Sequence, residues 1–170
     1  MESVIIPDTV TMIPTYSFQG YKVLKEVILP DTITMVESNA FASCPSLMNI
    51  NLKNVTSLGN SAFNSATGLT SVDLPKIVTI GSSCFNNCTG ITKMDLPTTI
   101  QKIGNSAFSK CSALKTFVCR STTPPTIYTY TLPDNITSIY VPDESVDTYK
   151  GASYWSKFSA KIKPLSEYTE

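Results

Sequence analysis

The stretch Leu96-Pro97-Thr98-Thr99-Ile100-Gln101-Lys102-Ile103-Gly104-Asn105-Ser106-Ala107-Phe108-Ser109-Lys110-Cys111-Ser112-Ala113-Leu114-Lys115-Thr116-Phe117 decides the fold, because its pattern recurs along the chain. Five phenylalanines, Phe18, Phe41, Phe63, Phe85 and Phe108, stand 23, 22, 22 and 23 residues apart, and similar neighbours accompany each. A unit of this length cannot bury its own apolar face. It folds by stacking on the units before and after it, and the chain is therefore a solenoid.

Within each unit the apolar positions fall into columns. Leu24-x-x-Val27-x-Leu29, Leu47-x-x-Ile50-x-Leu52, Leu69-x-x-Val72-x-Leu74, Ile91-x-x-Met94-x-Leu96 and Leu114-x-x-Phe117-x-Cys119 follow the leucine-rich strand pattern. Strand side chains alternate, so the last two apolar residues of each set point inward and the residue between them points out. Proline at Pro7, Pro30, Pro75 and Pro97 ends the strand, having no N–H to extend a ladder. A second apolar pair in each unit (Val10 and Ile13, Ile33 and Val36, Val55 and Leu58, Ile77 and Ile80, Ile100 and Ile103) supplies another wall. Gly59, Gly81 and Gly104 follow it at a corner, where a backbone conformation closed to other residues is expected. A small residue precedes each Phe, leaving clearance for a continuous column of rings.

The fold expected is a leucine-rich-repeat solenoid: a right-handed coil of about five 22–23-residue repeats, with a parallel strand ladder, little helix and a C-terminal cap. Residues 1–119 carry the repeats. The period breaks at Arg120, and residues 120–170 read as a capping segment with one further strand (Ile136 to Pro142) and a short helix. Asp143 is the expected N-cap of that helix, Gly151 its stop and Trp155 the anchor of the cap.

Composition narrows function. Thirteen basic and thirteen acidic side chains cancel, and neither sign is concentrated, so nucleic acid is not an expected partner. No apolar run approaches the ~20 residues of a membrane span, so no membrane insertion is expected in this segment. With no histidine and a single arginine, Arg120, no Ser-His-Asp or Cys-His set can be assembled. No catalytic residue, metal site or cofactor is expected, and the protein is expected not to be an enzyme.

The unit LPxxIxxIGxxAFxxCxxLxxM/V, clearest from Leu96 to Phe117, resembles the BspA-like family of leucine-rich repeats over residues 4–119. The stretch Tyr140-Val141-Pro142-Asp143-Glu144-Ser145-Val146-Asp147-Thr148-Tyr149-Lys150, followed by Trp155-Ser156 and Ile162-Lys163-Pro164-Leu165, is similar to the closing segment of such proteins from gut and oral bacteria. The resemblance implies a bacterial protein that is secreted or displayed at the cell surface, with adhesion to host matrix proteins or other bacteria as its role. Lys53 stands where the family has proline, and Tyr21 and Ala66 stand where it has cysteine. No signal sequence is visible in the chain, which opens inside a repeat. The expectation is that the natural protein extends further N-terminally or that a partner chain covers this end, self-association through the open edge included.

Cys44, Cys88 and Cys111 share one repeat position, three residues after a Phe, and Cys84 and Cys119 replace other small or apolar residues. This reads as a buried ladder of free thiols rather than a zinc site, with a Cys88–Cys111 bridge left open. Asn54-Val55-Thr56, Asn87-Cys88-Thr89 and Asn135-Ile136-Thr137 match the N-glycosylation pattern by chance of composition.

The outward strand positions form the candidate partner-binding surface. One column is Glu26, Asn49, Ser71, Lys93 and Thr116, and its neighbour is Ile28, Asn51, Asp73, Asp95 and Val118. Asn51, Asp73 and Asp95 at strand spacing could hold calcium, or the two carboxylates could serve glycoside hydrolysis, but a solvated ladder face is the ordinary outcome. The function expected is a non-enzymatic extracellular protein-binding or adhesion module using the strand-bearing face, with a host extracellular-matrix or other surface protein as partner. A structural spacer or stalk of a longer surface protein is the alternative, and a polysaccharide-active parallel β-helix enzyme comes last.

Overall fold

The two apolar columns of each repeat become two parallel walls. The computed structural model describes residues 2–169. In chain order the strands are β1 (Ser3–Ile5), β2 (Met12–Ile13), β3 (Glu26–Ile28), β4 (Met35–Val36), β5 (Asn49–Ile50), β6 (Ser57–Leu58), β7 (Thr79–Ile80), β8 (Lys93–Leu96), β9 (Lys102–Ile103), β10 (Thr116–Cys119) and β11 (Ser138–Val141). Helix α1 (Val146–Gly151) and strand β12 (Ile162–Pro164) follow. Every strand pair is parallel, and each residue aligns with its equivalent one repeat on, as in Glu26 with Asn49 and Leu58 with Ile80. Strands β2, β4, β6, β7 and β9 form one sheet, and the other wall is divided between β1–β3–β5 and β8–β10–β11–β12. The result is a parallel-strand solenoid of about seven turns with little helix, so the coil runs further than the five repeats counted in sequence.

The third side holds the phenylalanines. Phe18, Phe41, Phe63, Phe85 and Phe108 stack with centroid separations of 5.2, 5.4, 5.4 and 5.5 Å and nearly parallel planes. The backbone around them is also laddered, since the N–H groups of Phe18, Phe41, Phe63 and Phe85 donate to the carbonyls of Ala40, Ala62, Cys84 and Ala107. Two left-handed positions flank each ring. Tyr16, Asn39, Ser61, Ser83 and Ser106 lie two residues before a Phe, and Gly20, Ser43, Ser65, Asn87 and Lys110 lie two residues after, all with positive φ. Serine and asparagine dominate these places because their short polar side chains tolerate that region.

The glycine expectation is therefore corrected. Gly59, Gly81 and Gly104 do not have positive φ; they are needed for close approach. A Cβ on Gly81 would lie 2.5 Å from the carbonyl carbon of Gly59 and 2.6 Å from the amide nitrogen of Asn60. Glycine lets adjacent turns approach at this corner, where backbone meets backbone.

Past residue 120 two strands, β11 and β12, rather than one, extend the ladder. The ring column continues through Phe117, edge-on to Phe108 at 5.6 Å, to Trp155 at 6.3 Å and Tyr149 at 5.0 Å from Trp155. Trp155 is buried and its indole N–H donates to the Pro125 carbonyl at 2.9 Å, so the large side chain leaves no orphan donor. Asp143 does not cap a helix. A 3-10 turn over Asp143–Ser145 precedes α1, and the Asp143 carboxylate instead accepts the Ser166 N–H at 3.0 Å; hydrogen bonding from the Ser166 side chain first, and then from this N–H, holds its carboxyl below the usual carboxylate range.

Candidate binding face

The wall that carries the predicted surface residues is interrupted. Residues 71–74 form no strand, so the ladder ends at β5 and resumes at β8, while the second wall passes unbroken through the same repeat. Asn51 sits at the break. Its side-chain oxygen accepts the Leu29 N–H at 2.8 Å and its side-chain nitrogen donates to the Leu29 carbonyl at 3.0 Å, so one amide takes the place of a neighbouring strand's peptide. Ile50 and Val72, in the inward phase, are only partly buried here. The outcome is a cleft of about 450 Å³ lined by Glu26, Ile28, Met48, Asn49, Asn51, Ser71 and Asp73. Six of the ten predicted surface residues thus meet around one depression. Met48, which sequence alternation did not single out, joins them with 49% of its surface exposed.

The other four residues are differently placed. Lys93 donates to the Tyr168 hydroxyl at 2.7 Å, and the Tyr168 ring lies 5.0 Å from that of Tyr140. Tyr168 therefore spans from the β11 rung to the β8 rung, across the β10 rung between them. Val118, expected to point into solvent for a partner, is completely buried, and this expectation is corrected. Its register neighbours are Asp95 and Tyr140, and it lies outside the main core cluster, under the cover of the returning C-terminal segment. Thr116 on the same strand is half-buried. Asp95 receives two hydrogen bonds of 2.8 Å from Arg120, a fork-to-fork pair. Because Asn51 and Asp95 turn to Leu29 and Arg120, the oxygen column imagined for calcium is dispersed, and no cluster of three or more metal-ligating side chains forms among the described residues.

All five cysteines are buried free thiols. Cys44, Cys88 and Cys111 donate their S–H groups to the carbonyls of Phe18, Phe63 and Phe85 at 3.0, 3.1 and 3.0 Å, tying each turn to the one before. Burial pushes every thiol upward, to about 12 for Cys111 and about 11 for Cys119. Unionised, donating thiols are structural, not nucleophilic.

Known proteins place this arrangement. The profile of the BspA type leucine rich repeat region, in 6 copies, matches residues 1–115 and 41–159. The chain belongs to the BspA type leucine-rich-repeat family. Among solved structures it is similar to the leucine rich repeat protein of T. pallidum (TM-score 0.70, 20% identity, 95% of this chain and 85% of that one). It is also similar to a leucine-rich repeat protein of Bacteroides ovatus (0.67, 23%, 83% and 40%) and a leucine rich cell surface protein of Faecalibacterium prausnitzii (0.53, 23%, 85% and 55%). At these identities the likeness concerns the fold. The chain spans about half or less of the latter two proteins. No curated protein sequence matches it. Among the described residues, no helix is long and apolar enough to cross a membrane.

Proposed function

We propose that this chain is a non-enzymatic, surface-displayed adhesion module that holds a matrix or surface protein on the N-terminal half of its strand face. The observation that carries the reading is an apolar strip on an otherwise polar wall. Ile5 and Ile28 are register partners, 73% and 44% exposed, and Met48 lies beside them at the rim of the cleft. Exposed apolar side chains around a depression with polar Asn49, Ser71 and Asp73 in its lining are the composition of a protein-binding patch. The C-terminal half of the face is occupied by the chain's own Tyr168 and by the Asp95–Arg120 pair, which moves the expected contact away from Lys93, Asp95, Thr116 and Val118.

The test is binding of the purified chain to immobilised extracellular-matrix and bacterial surface proteins, beside Ile28→Arg/Met48→Glu and Lys93→Ala variants. A saturable interaction lost at least tenfold in the double variant and kept in Lys93→Ala is expected. Retention in the folded double variant overturns the assignment of the face.

A further inference from the structure

A groove on the second wall is independent of the strand face. Gly81 and Gly104 follow the inward strand residues Ile80 and Ile103, and with Leu58 of the turn before they lie in the lining of a depression on this wall. The depression measures about 500 Å³, within the range of small-ligand sites. Thr79 and Lys102, outward on β7 and β9, line it on one side of the glycines, and Asn60, Ser82 and Asn105 line it on the other. Tyr128 completes the lining.

Two of these groups are set in place, Tyr128 through its turn and Asn60 through its side-chain oxygen. The Tyr128 N–H donates to the Thr131 hydroxyl at 2.8 Å, and that hydroxyl donates to the Gly104 carbonyl at 3.1 Å. Thr131 is completely buried, so a buried hydroxyl fastens the tyrosine's turn to the groove floor. The Tyr154 ring stands 6.4 Å from that of Tyr128. The Asn60 side-chain oxygen accepts the Ser82 N–H at 2.8 Å, which leaves its NH₂ group for a ligand. The Asn105 amide and the Lys102 ammonium have no partner among the described residues, and no acidic side chain lines the groove.

The geometry points to a binding site for a short oligosaccharide bearing a carboxylate. A sugar ring offers a C–H face that suits an exposed aromatic ring and a rim of hydroxyls that both donate and accept, which amide and hydroxyl side chains match in both directions. These groups repeat at the ~4.8 Å spacing of adjacent turns, the same order as the rise per sugar in an extended chain. Lys102, unopposed by acid, selects a carboxylated sugar over a neutral one. A nucleic acid would need a far denser basic surface.

The experiment is an array of carboxylated oligosaccharides (uronate- and sialate-bearing) with matched neutral ones, probed with the whole chain and with Tyr128→Ala, Tyr128→Phe and Lys102→Gln variants. Binding of carboxylated members that falls at least tenfold in Tyr128→Ala and survives in Tyr128→Phe is expected. Lys102→Gln, an exposed substitution that leaves the fold intact, is expected to erase the preference over the neutral counterparts. The inference is overturned if the folded wild-type chain retains no carboxylated oligosaccharide at millimolar concentration. It is equally overturned if Lys102→Gln keeps the preference, or if binding is lost instead in Ile28→Arg/Met48→Glu.

Discussion

Replacing Phe63 by alanine removes the middle ring of the stack. Phe63 is completely buried between Phe41 and Phe85, with both neighbouring rings 5.4 Å away and tilted by 11° and 4°. Burial of such a ring contributes roughly 1.5–3 kcal/mol, and the cavity left behind brings the expected loss to about 3–5 kcal/mol. Small domains are stable by only about 5–15 kcal/mol, so the loss is a large fraction of the total. Phe18, at the N-terminal end of the column, is half-buried and has one stacked neighbour, so Phe18→Ala should cost about 1–2 kcal/mol. In this part of the stack each turn packs on the next, so the Phe63→Ala defect weakens the two interfaces that the ring makes and leaves the turns beyond them with their own. Urea unfolding followed by far-ultraviolet circular dichroism reports the whole chain, while the fluorescence of Trp155, the single tryptophan, reports the C-terminal end. The two signals should coincide in the wild type and separate in Phe63→Ala, with dichroism lost at lower urea. Coincident transitions with a loss under about 1 kcal/mol, or a Phe18→Ala loss as large as that of Phe63→Ala, would refute the nearest-neighbour reasoning.

Gly81→Ala should destabilise by at least ~1–3 kcal/mol, because the added carbon meets the Gly59 and Asn60 backbone rather than a side chain that can swing away; an unchanged melting temperature would show that the turns can separate without cost. The thiols predict alkaline sensitivity. An unfolded cysteine ionises near ~8.5, whereas Cys119 and Cys111 in the fold are pushed up to about 11 and about 12. The stabilisation linked to them is complete below pH ~8.5 and is lost as pH rises through the folded values, at up to about 1.4 kcal/mol per pH unit per thiol. The stability advantage of wild type over Cys111→Ala should therefore narrow between pH ~9 and ~11 in urea titrations, and a constant difference across that range would remove the linkage argument.

The period, the ring column and the inward phase of the strands were legible because each depends on neighbours one repeat away, and translation by 22 or 23 residues writes that relation into the sequence. The same regularity made Glu26, Ile28, Asn49, Asn51, Ser71 and Asp73 identifiable as one outward surface. It could not reveal the cleft among them. Leu69-x-x-Val72-x-Leu74 keeps the strand pattern, yet no strand forms there, and beside the gap the Asn51 amide bonds the Leu29 backbone. Nor could it warn that Val118 is covered, since the segment above it comes from Tyr168, 75 residues beyond the Lys93 it bonds and outside the repeat. The glycine column was misread for a related reason: its constraint is the approach of a neighbouring backbone, not the residue's own torsions.

The sequence alone determined a stack of turns with an apolar interior, because periodic burial leaves a periodic pattern. Tertiary structure decided which stretches of that stack are open to a partner. Clefts, grooves and covering segments arise where one turn departs from the next, and a repeat pattern records only what the turns share.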